Sequence, residues 1–430
     1  MNSDWLALLR CPACGAGALA LDEGEEETVR YGAREVREVR TGAVGCRGCG
    51  ARFPVREYLL SFEGLLAPDV SQEAVFWNAY YRQHYERGIQ GFADTEAPQT
   101  PFLAQGVTEA IPVERATWFG VLEGLARHPW LRPGGLLVDI GVGSGWSSLD
   151  LARRGFNVIA FDPAFEALAV AKRHAIAQGV YLEYLCSDMA HFHLLPDSAD
   201  AVFALHSLHH VPDIDGALQR IAAMLREGGV LALDEHFQEN ERNSRLRAAL
   251  IQEADELCFG RYRSPEAALA LPSHASHNEG IGMERMLETV QRYLHADTPR
   301  YRHIAMDLLG PLAYLAFDRS PEALGQATAL GGLINRAMLR AWPDAAEYVT
   351  LVAQKRAEPP RGPALAPPLS HEARQAAQLA AYQEELARLQ QLLATKNEHI
   401  RRLETLLERI SSGRLMRLLN WVRKYVMRNA

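Results

Sequence analysis

The stretch Leu136–Pro163, LLVDIGVGSGWSSLDLARRGFNVIAFDP, restricts the possible folds of this chain more than any other. The apolar run Leu136–Ile140 suits a strand covered on both faces. A glycine-rich turn follows, Gly141-x-Gly143-x-Gly145, and opens a helix. Glycines there let the backbone come close to a ligand, and the helix start points its N–H groups at it. Asn157–Phe161 reads as a second strand with Asp162 at its carboxyl end. An acid in that place can accept both hydroxyls of a ribose.

The spacing separates one nucleotide ligand from another. In a dinucleotide fingerprint, G-x-G-x-x-G, the third glycine would fall at Trp146. Here the glycines alternate, and an acid, Asp139, precedes them. Further strands are expected at Tyr181–Leu185, before Ser187-Asp188-Met189, and at Asp200–Leu205, before His206-Ser207-Leu208-His209-His210. A fifth is expected over Glu227–Leu233. Alternating strands and helices imply a parallel, doubly wound α/β sheet. The order resembles the class I S-adenosylmethionine (SAM) methyltransferases, including the LHH segment after strand four. That resemblance implies a Rossmann-like seven-stranded sheet over a domain of 71–356. Arg302–Ala305 and an antiparallel Tyr348–Ala353 would be its last strands, with helices such as Pro321–Leu339 inserted after strand five.

At 430 residues the chain exceeds one core and suggests two or three units. A formal net charge of −8 argues against nucleic-acid binding by the whole surface. No run reaches the length of a membrane span, and the N-terminus lacks a secretory pattern, so a cytoplasmic protein is expected.

Four of the six cysteines form two knuckles, Cys11-Pro-Ala-Cys14 and Cys46-Arg-Gly-Cys49. Two such pairs make a tetrahedral S4 site suited to structural zinc. Alternatives are a redox dithiol or a site that has lost its metal. Glycines at 15, 48 and 50 help the chain turn, and Thr28–Arg40 between the knuckles suggests a hairpin. Cys186 and Cys258 read as lone thiols. The segment ending CGARFPVREYLLSF resembles the Trm112-like zinc ribbons, here spanning 1–65, whose relatives activate or stabilise methyltransferases. The acidic run Asp22–Glu27 departs from that pattern.

Between these modules, Ser71–Gly91 carries Phe76, Trp77, Tyr80, Tyr81 and Tyr85 largely on one helical face. It packs on the core or covers the ligand site. A proline-rich linker is expected over 357–370. Beyond it Leu379, Tyr382, Leu386, Leu389, Leu393, Lys396, Ile400, Leu403, Leu407 and Ile410 keep a heptad seam, a C-terminal coiled-coil helix over 371–410 that favours a homo-oligomer. Residues 411–430 form a basic amphipathic helix that fits an anionic membrane face or a partner helix.

The methyltransferase resemblance implies roles residue by residue. Asp139, Gly141, Gly143 and Gly145 would hold the methionine and ribose side of SAM. Asp162 would take the ribose hydroxyls, Asp188 the adenine amine with Met189 beside the ring, and His206 would close the site. His209, His210, Glu235 and His236 lie where an acceptor would sit and are the candidate acid–base groups. His274, His277 and His295 have no ligand spacing and are expected at a surface or lid. Three functions follow. One is methyl transfer to a small-molecule or glycan acceptor, in surface polysaccharide synthesis at the inner membrane face. The second is an RNA or protein methyltransferase reading its acceptor through the zinc ribbon. The third is a non-catalytic oligomeric scaffold.

Overall fold

The computed structural model describes residues 1–86, 121–237, 281–302, 321–342 and 346–358, without 16 and 144, and six positions between 390 and 402. The chain divides into two units, Met1–Pro368 and Leu369–Ala430. In the second unit, positions 390, 391, 396, 398, 401 and 402 are helical, with Arg402 donating to Glu398 at 2.6 Å. The rest of the heptad seam and the basic tail lie outside the described residues. So do Cys258, His274, His277, most of the 357–370 linker and the segment 92–111.

The first unit begins with a 3-10 turn, Ser3–Leu8, and four strands: β1 (Leu19–Tyr31), β2 (Arg34–Cys46), β3 (Arg52–Arg56) and β4 (Leu59–Ser61). Helix α1 (Pro68–Glu86) follows. Then come β5 (Leu136–Ile140), α2 (Trp146–Arg153), β6 (Asn157–Asp162), α3 (Phe165–Ala177), β7 (Glu183–Cys186) and β8 (Ala199–Leu205). Next are α4 (Ile214–Met224), β9 (Leu225–His236), α5 (Met283–Tyr293), β10 (His295–Ala296), β11 (Arg300–Arg302), α6 (Pro321–Ala341) and β12 (Tyr348–Gln354).

Strands β7, β6, β5, β8 and β9 lie side by side and parallel, and β12 joins β9 antiparallel. The pleat explains their continuous apolar sequences. On β5, Val138 and Ile140 enter one buried cluster and Leu137 the other; on β8, Val202 and Ala204 face one side and Ala201 and Phe203 the other. A strand covered on both faces has no polar side to show. This is the expected doubly wound sheet, with its sixth position shared by β10 and β11, which both pair β12. The sixth strand begins at Arg300, and 303–305 of its expected span lie outside the described residues; β7 begins at Glu183 rather than Tyr181.

The sheet does not stop at seven positions. Strand β4 pairs parallel with β7, through Leu60 opposite Leu185, so the cysteine-bearing strands continue the same sheet to twelve strands. A sheet edge is an open row of N–H and C=O groups, and β4 closes the one on β7. The hairpin is also longer than its sequence cue: β1 and β2 are thirteen residues each. The acidic run Asp22–Glu27 is therefore strand, not an inserted loop. Arginines face it: Arg37 pairs with Glu26, Arg47 with Asp22 at 3.6 Å, and Arg52 with Glu23 at 2.8 Å. Alternating charge of this kind blunts the outer edge against pairing with another chain.

The seam between hairpin and sheet holds a buried ion pair. Lys172 Nζ of α3 donates to Glu38 Oε1 of β2 at 2.8 Å, and Tyr31 Oη donates to Glu38 Oε2 at 3.0 Å. Both charged side chains are almost completely buried, 1% and 0% exposed. Met1 nitrogen donates to the Val39 carbonyl beside them, and burial lowers the pKa of that amine to about 5.

Candidate active site

The carboxyl ends of β5, β6, β7, β8 and β9 gather most of the candidate residues on one rim, where open α/β sheets bind ligands. The glycine turn is built as its sequence suggests. Gly141, Gly143 and Gly145 all have positive φ, at 64°, 51° and 77°. A Cβ on Gly141 would come within 2.4 Å of Ser207 Cβ, and one on Gly145 within 2.5 Å of Tyr184 Oη. Side chains are excluded there on both counts.

Asp162 ties that turn to the next strand. Its Oδ2 accepts from Gly143 N–H at 2.9 Å and its Oδ1 from Ala164 N–H at 2.8 Å. Each oxygen keeps a second lone pair, and the side chain is 8% exposed. Burial raises its pKa to about 6, against those two N–H bonds. Asp139 is engaged inward instead. Its Oδ2 accepts from Ser147 Oγ at 2.8 Å and Ser148 Oγ at 2.6 Å, the hydroxyls of the first turn of α2. Burial raises it to about 6 as well. The two serines belong to the site, and their position directly after the glycines was the available signal.

Asp188 Oδ1 accepts from the backbone N–H of His191 at 2.8 Å and pairs with His191 Nδ1 at 2.7 Å. Met189 is buried beside it. The pair lies after β7, next along the rim from Asp162, as a bound adenosine requires. Leu205 ends β8, and His206 directly after it has a positive φ of 55° for a non-glycine residue.

The histidines that follow β8 and the one that ends β9 form a second cluster. Ring centroids of His209 and His210 are 4.0 Å apart, those of His209 and His236 4.2 Å, and those of His206 and His236 5.6 Å. Their partners differ. His206 Nε2 meets Asp234 Oδ2 at 3.1 Å; burial works against charging this ring, but the Asp234 carboxylate outweighs it and raises the pKa. Burial also opposes the charge on Asp234, yet Arg302 grips it with both nitrogens, at 2.5 and 2.7 Å, and holds it well below the usual carboxylate range. Thr350 Oγ1 adds a third bond at 2.5 Å. Nothing in the sequence paired Asp234 with Arg302; the sixth-strand register does so.

His209 Nδ1 meets Glu235 Oε2 at 2.6 Å, while Glu235 Oε1 accepts from Ser207 and Leu208 N–H at 3.1 and 2.7 Å. Burial, then His210 and His206, push His209 well below its ordinary pKa; burial, then His209 and His206, do the same to His236. Burial raises Glu235. His210 Nδ1 pairs with Glu73 Oε1 at 2.9 Å, which brings α1 over the rim. Glu73 was not anticipated, and both placements considered for Ser71–Gly91, on the core or over the site, stay open; Trp77 stands edge-on to His210 with ring centroids 6.5 Å apart. His295 lies apart from this cluster, on β10, its Nε2 against the Glu358 carbonyl at 2.7 Å.

The four knuckle cysteines form a separate site. Their sulfurs all lie within 4.8 Å of one another, with Cys11 to Cys49 at 3.7 Å and Cys14 to Cys46 at 3.8 Å. Tetrahedral thiolates at about 2.3 Å from a metal stand roughly 3.8 Å apart, so the donor set fits. Gly48 and Cys49 N–H groups donate to Cys46 Sγ at 3.3 and 3.4 Å, and these bonds, that from Cys49 first, lower the Cys46 thiol to about 6. Gly17 also belongs to this site, although the sequence points first to the glycines within or directly after the knuckles, 15, 48 and 50. A Cβ there would sit 2.2 Å from Cys46 Sγ.

Residues 138–233 match the family model described as a methyltransferase domain. The chain is 40% identical over 110 residues to the ubiquinone biosynthesis O-methyltransferase of Aeromonas salmonicida, covering 24% of this chain and 46% of that protein. It is 35% identical over 113 residues to the protein of that name from Methylocella silvestris, covering 26% and 44%. The chain thus spans less than half the length of these curated relatives. Among solved structures, geranyl diphosphate C-methyltransferase from Streptomyces coelicolor is 16% identical with a TM-score of 0.43, covering 67% of this chain and 98% of that one. A complex of the Haloferax volcanii Trm112 methyltransferase activator with a methyltransferase gives 18% and 0.37, covering 65% and 97%.

Proposed function

We propose that this protein transfers the methyl group of SAM to a small-molecule acceptor. The observation that carries the reading is the glycine turn tied to Asp162, inside the stretch that matches a methyltransferase domain. Asp162 keeps lone pairs for two ribose hydroxyls. Asp188 and Met189 are next along the rim for adenine, and Ser207 Oγ, buried against Gly141 and without a hydrogen-bond partner among the described residues, is open to the methionyl end. SAM supplies the electrophilic methyl group, so the protein has to orient the acceptor, exclude water and accept a proton. An oxygen acceptor is favoured by the names of the similar O-methyltransferases.

The cysteine cluster is proposed to hold structural zinc, through Cys11, Cys14, Cys46 and Cys49. Four thiolates close its coordination sphere, so the metal stabilises the turn that leads into β1 and the one that joins β2 to β3. Self-association through the seam Leu379–Ile410, and contact of 411–430 with a membrane or partner helix, belong to the same proposal and rest on the sequence pattern. The polysaccharide role rests on that tail alone.

Methyl-labelled SAM tests the function against three acceptor sets: soluble phenols, alcohols and sugars; lipid-linked glycans; and RNA or protein. Label in the first set supports the reading. Label confined to lipid-linked glycans moves the acceptor to the polysaccharide class, and label confined to RNA or protein favours the zinc-ribbon alternative. No transfer in any set, with no cofactor binding, leaves the scaffold.

A further inference from the structure

The tip of the β1–β2 hairpin reaches the amino ends of β6 and β7, and a cavity of about 350 Å³ lies there. Tyr31 and Arg34 of the hairpin line it, with Trp5 of the first turn, Arg153 ending α2, Asn157 opening β6 and Tyr181 just before β7. Asp162 stands at the other end of β6, roughly 16 Å away at about 3.3 Å per residue. The hairpin tip is closely seated: a Cβ on Gly179 would come within 2.9 Å of Gly32 nitrogen.

The lining carries one sign of charge. Two arginines and no acid border the cavity among the described residues. The other arginines of β1 and β2, Arg30, Arg37 and Arg40, each pair with a glutamate. Arg34 meets no carboxylate among the described residues; its guanidinium lies over the Tyr181 ring, 4.2 Å from the centroid. Stacking fixes the guanidinium plane and leaves the N–H fork at its edge. Arg153 donates to the neutral Gln178 Oε1 at 2.8 Å. The donors of the aromatic wall are engaged elsewhere. Tyr31 Oη bonds Glu38 at 3.0 Å, Tyr181 Oη bonds Glu183 at 2.6 Å, and Trp5 Nε1 bonds Tyr181 Oη at 2.9 Å. Asn157 Nδ2 is taken by the Gly134 carbonyl at 2.9 Å. Glu183 also accepts from Asn2 N–H and does not line the cavity.

Flat apolar walls beside two guanidinium groups without a carboxylate select a flat anion. We propose that this cavity is a second ligand site, for a planar aromatic carboxylate of one or two rings, with the carboxylate on Arg34 and Arg153 and the ring against the wall of Trp5 and Tyr181. The volume is at the lower end of small-molecule sites, which sets the ring number. A carboxylate accepts two parallel N–H bonds from a guanidinium fork, a geometry closed to an alcohol or a cation. The site is separate from the rim, yet it borders elements that build it: α2 carries Ser147 and Ser148 near its start, and β6 carries Asp162 at its end.

Calorimetric titration of 2-naphthoate into the full chain tests the proposal. Arg34→Met and Arg153→Met keep the side-chain stem and remove the charge, and both positions are exposed, so the fold should stand by circular dichroism. The wild type should bind with a Kd below about 1 mM, and each variant at least about tenfold more weakly. The uncharged isostere 2-naphthalenemethanol should bind the wild type at least about tenfold more weakly than the acid. A second measurement needs no variant: intermolecular nuclear Overhauser effects should run from the naphthalene protons to the rings of Trp5 and Tyr181. No binding by the folded wild type at that concentration, wild-type affinity in both variants, equal affinity for the alcohol, or Overhauser effects confined to the histidines of the rim would each overturn the proposal.

Discussion

Lys172→Met should destabilise the first unit by about 3–5 kcal/mol, the usual cost of breaking a buried ion pair from one side. Methionine keeps most of the side-chain volume, so packing changes little. What it leaves is the Glu38 carboxylate, 0% exposed, with Tyr31 Oη as its remaining hydrogen-bond partner among the described residues. Replacing both residues, as Lys172→Met with Glu38→Leu, removes the stranded charge. That double variant should return to near wild-type stability, because two charges no longer have to be desolvated. The interaction free energy from the cycle should then be at least about 3 kcal/mol. Urea unfolding followed by tryptophan fluorescence suits the measurement, since Trp5 Nε1 donates to Tyr181 Oη across the same seam at 2.9 Å. Far-ultraviolet circular dichroism must give the same midpoint for the free energies to be meaningful. A single variant within about 1 kcal/mol of wild type, or a double variant no more stable than the single, would refute the view that this pair carries an uncompensated cost when broken.

The remaining expectations concern the two sites and the tail. Asp162 must be ionised to accept two hydroxyls, and its pKa is near 6; S-adenosylhomocysteine affinity should therefore be level above pH 7 and fall roughly tenfold per pH unit below 6, read by calorimetry. In the free protein the sign is opposite: a carboxyl raised to about 6 from 3.8 favours the fold while protonated, and that contribution is lost as pH rises through 6. Gly17→Ala places a methyl group into Cys46 Sγ, so zinc per chain, measured by atomic absorption on purified protein, should drop from about one towards zero; full retention would count against the S4 site. Deleting 371–430 should convert an oligomer to a monomer by light scattering, and a full-length chain that is already monomeric would end the coiled-coil proposal.

The parallel sheet was legible because strands buried on both faces cannot hide their apolar runs. Leu136–Ile140, Asn157–Phe161 and Asp200–Leu205 all sit within a residue or two of the strands formed. The glycine turn and its acid were equally plain, since a positive φ and a close approach leave glycine as the tolerated residue at 141 and 145. Long-range partners were not legible. Parallel pairing of Leu60 with Leu185, the Lys172–Glu38 pair and the Arg302 grip on Asp234 join residues 68 to 134 positions apart, and none leaves a local pattern. The histidine cluster shows the same division. Its members after β8 and at the end of β9 were visible as residue types, but which nitrogen of His209 is held, and that Glu235 holds it, depends on the register of β8 against β9.

Calorimetric titration of S-adenosylhomocysteine into the wild type and Asp162→Ala tests the central claim most directly. The account predicts micromolar-range binding by the wild type and a loss of at least about tenfold in the variant, with both proteins folded by circular dichroism. Absence of binding to the folded wild type, or equal binding by Asp162→Ala, would contradict it.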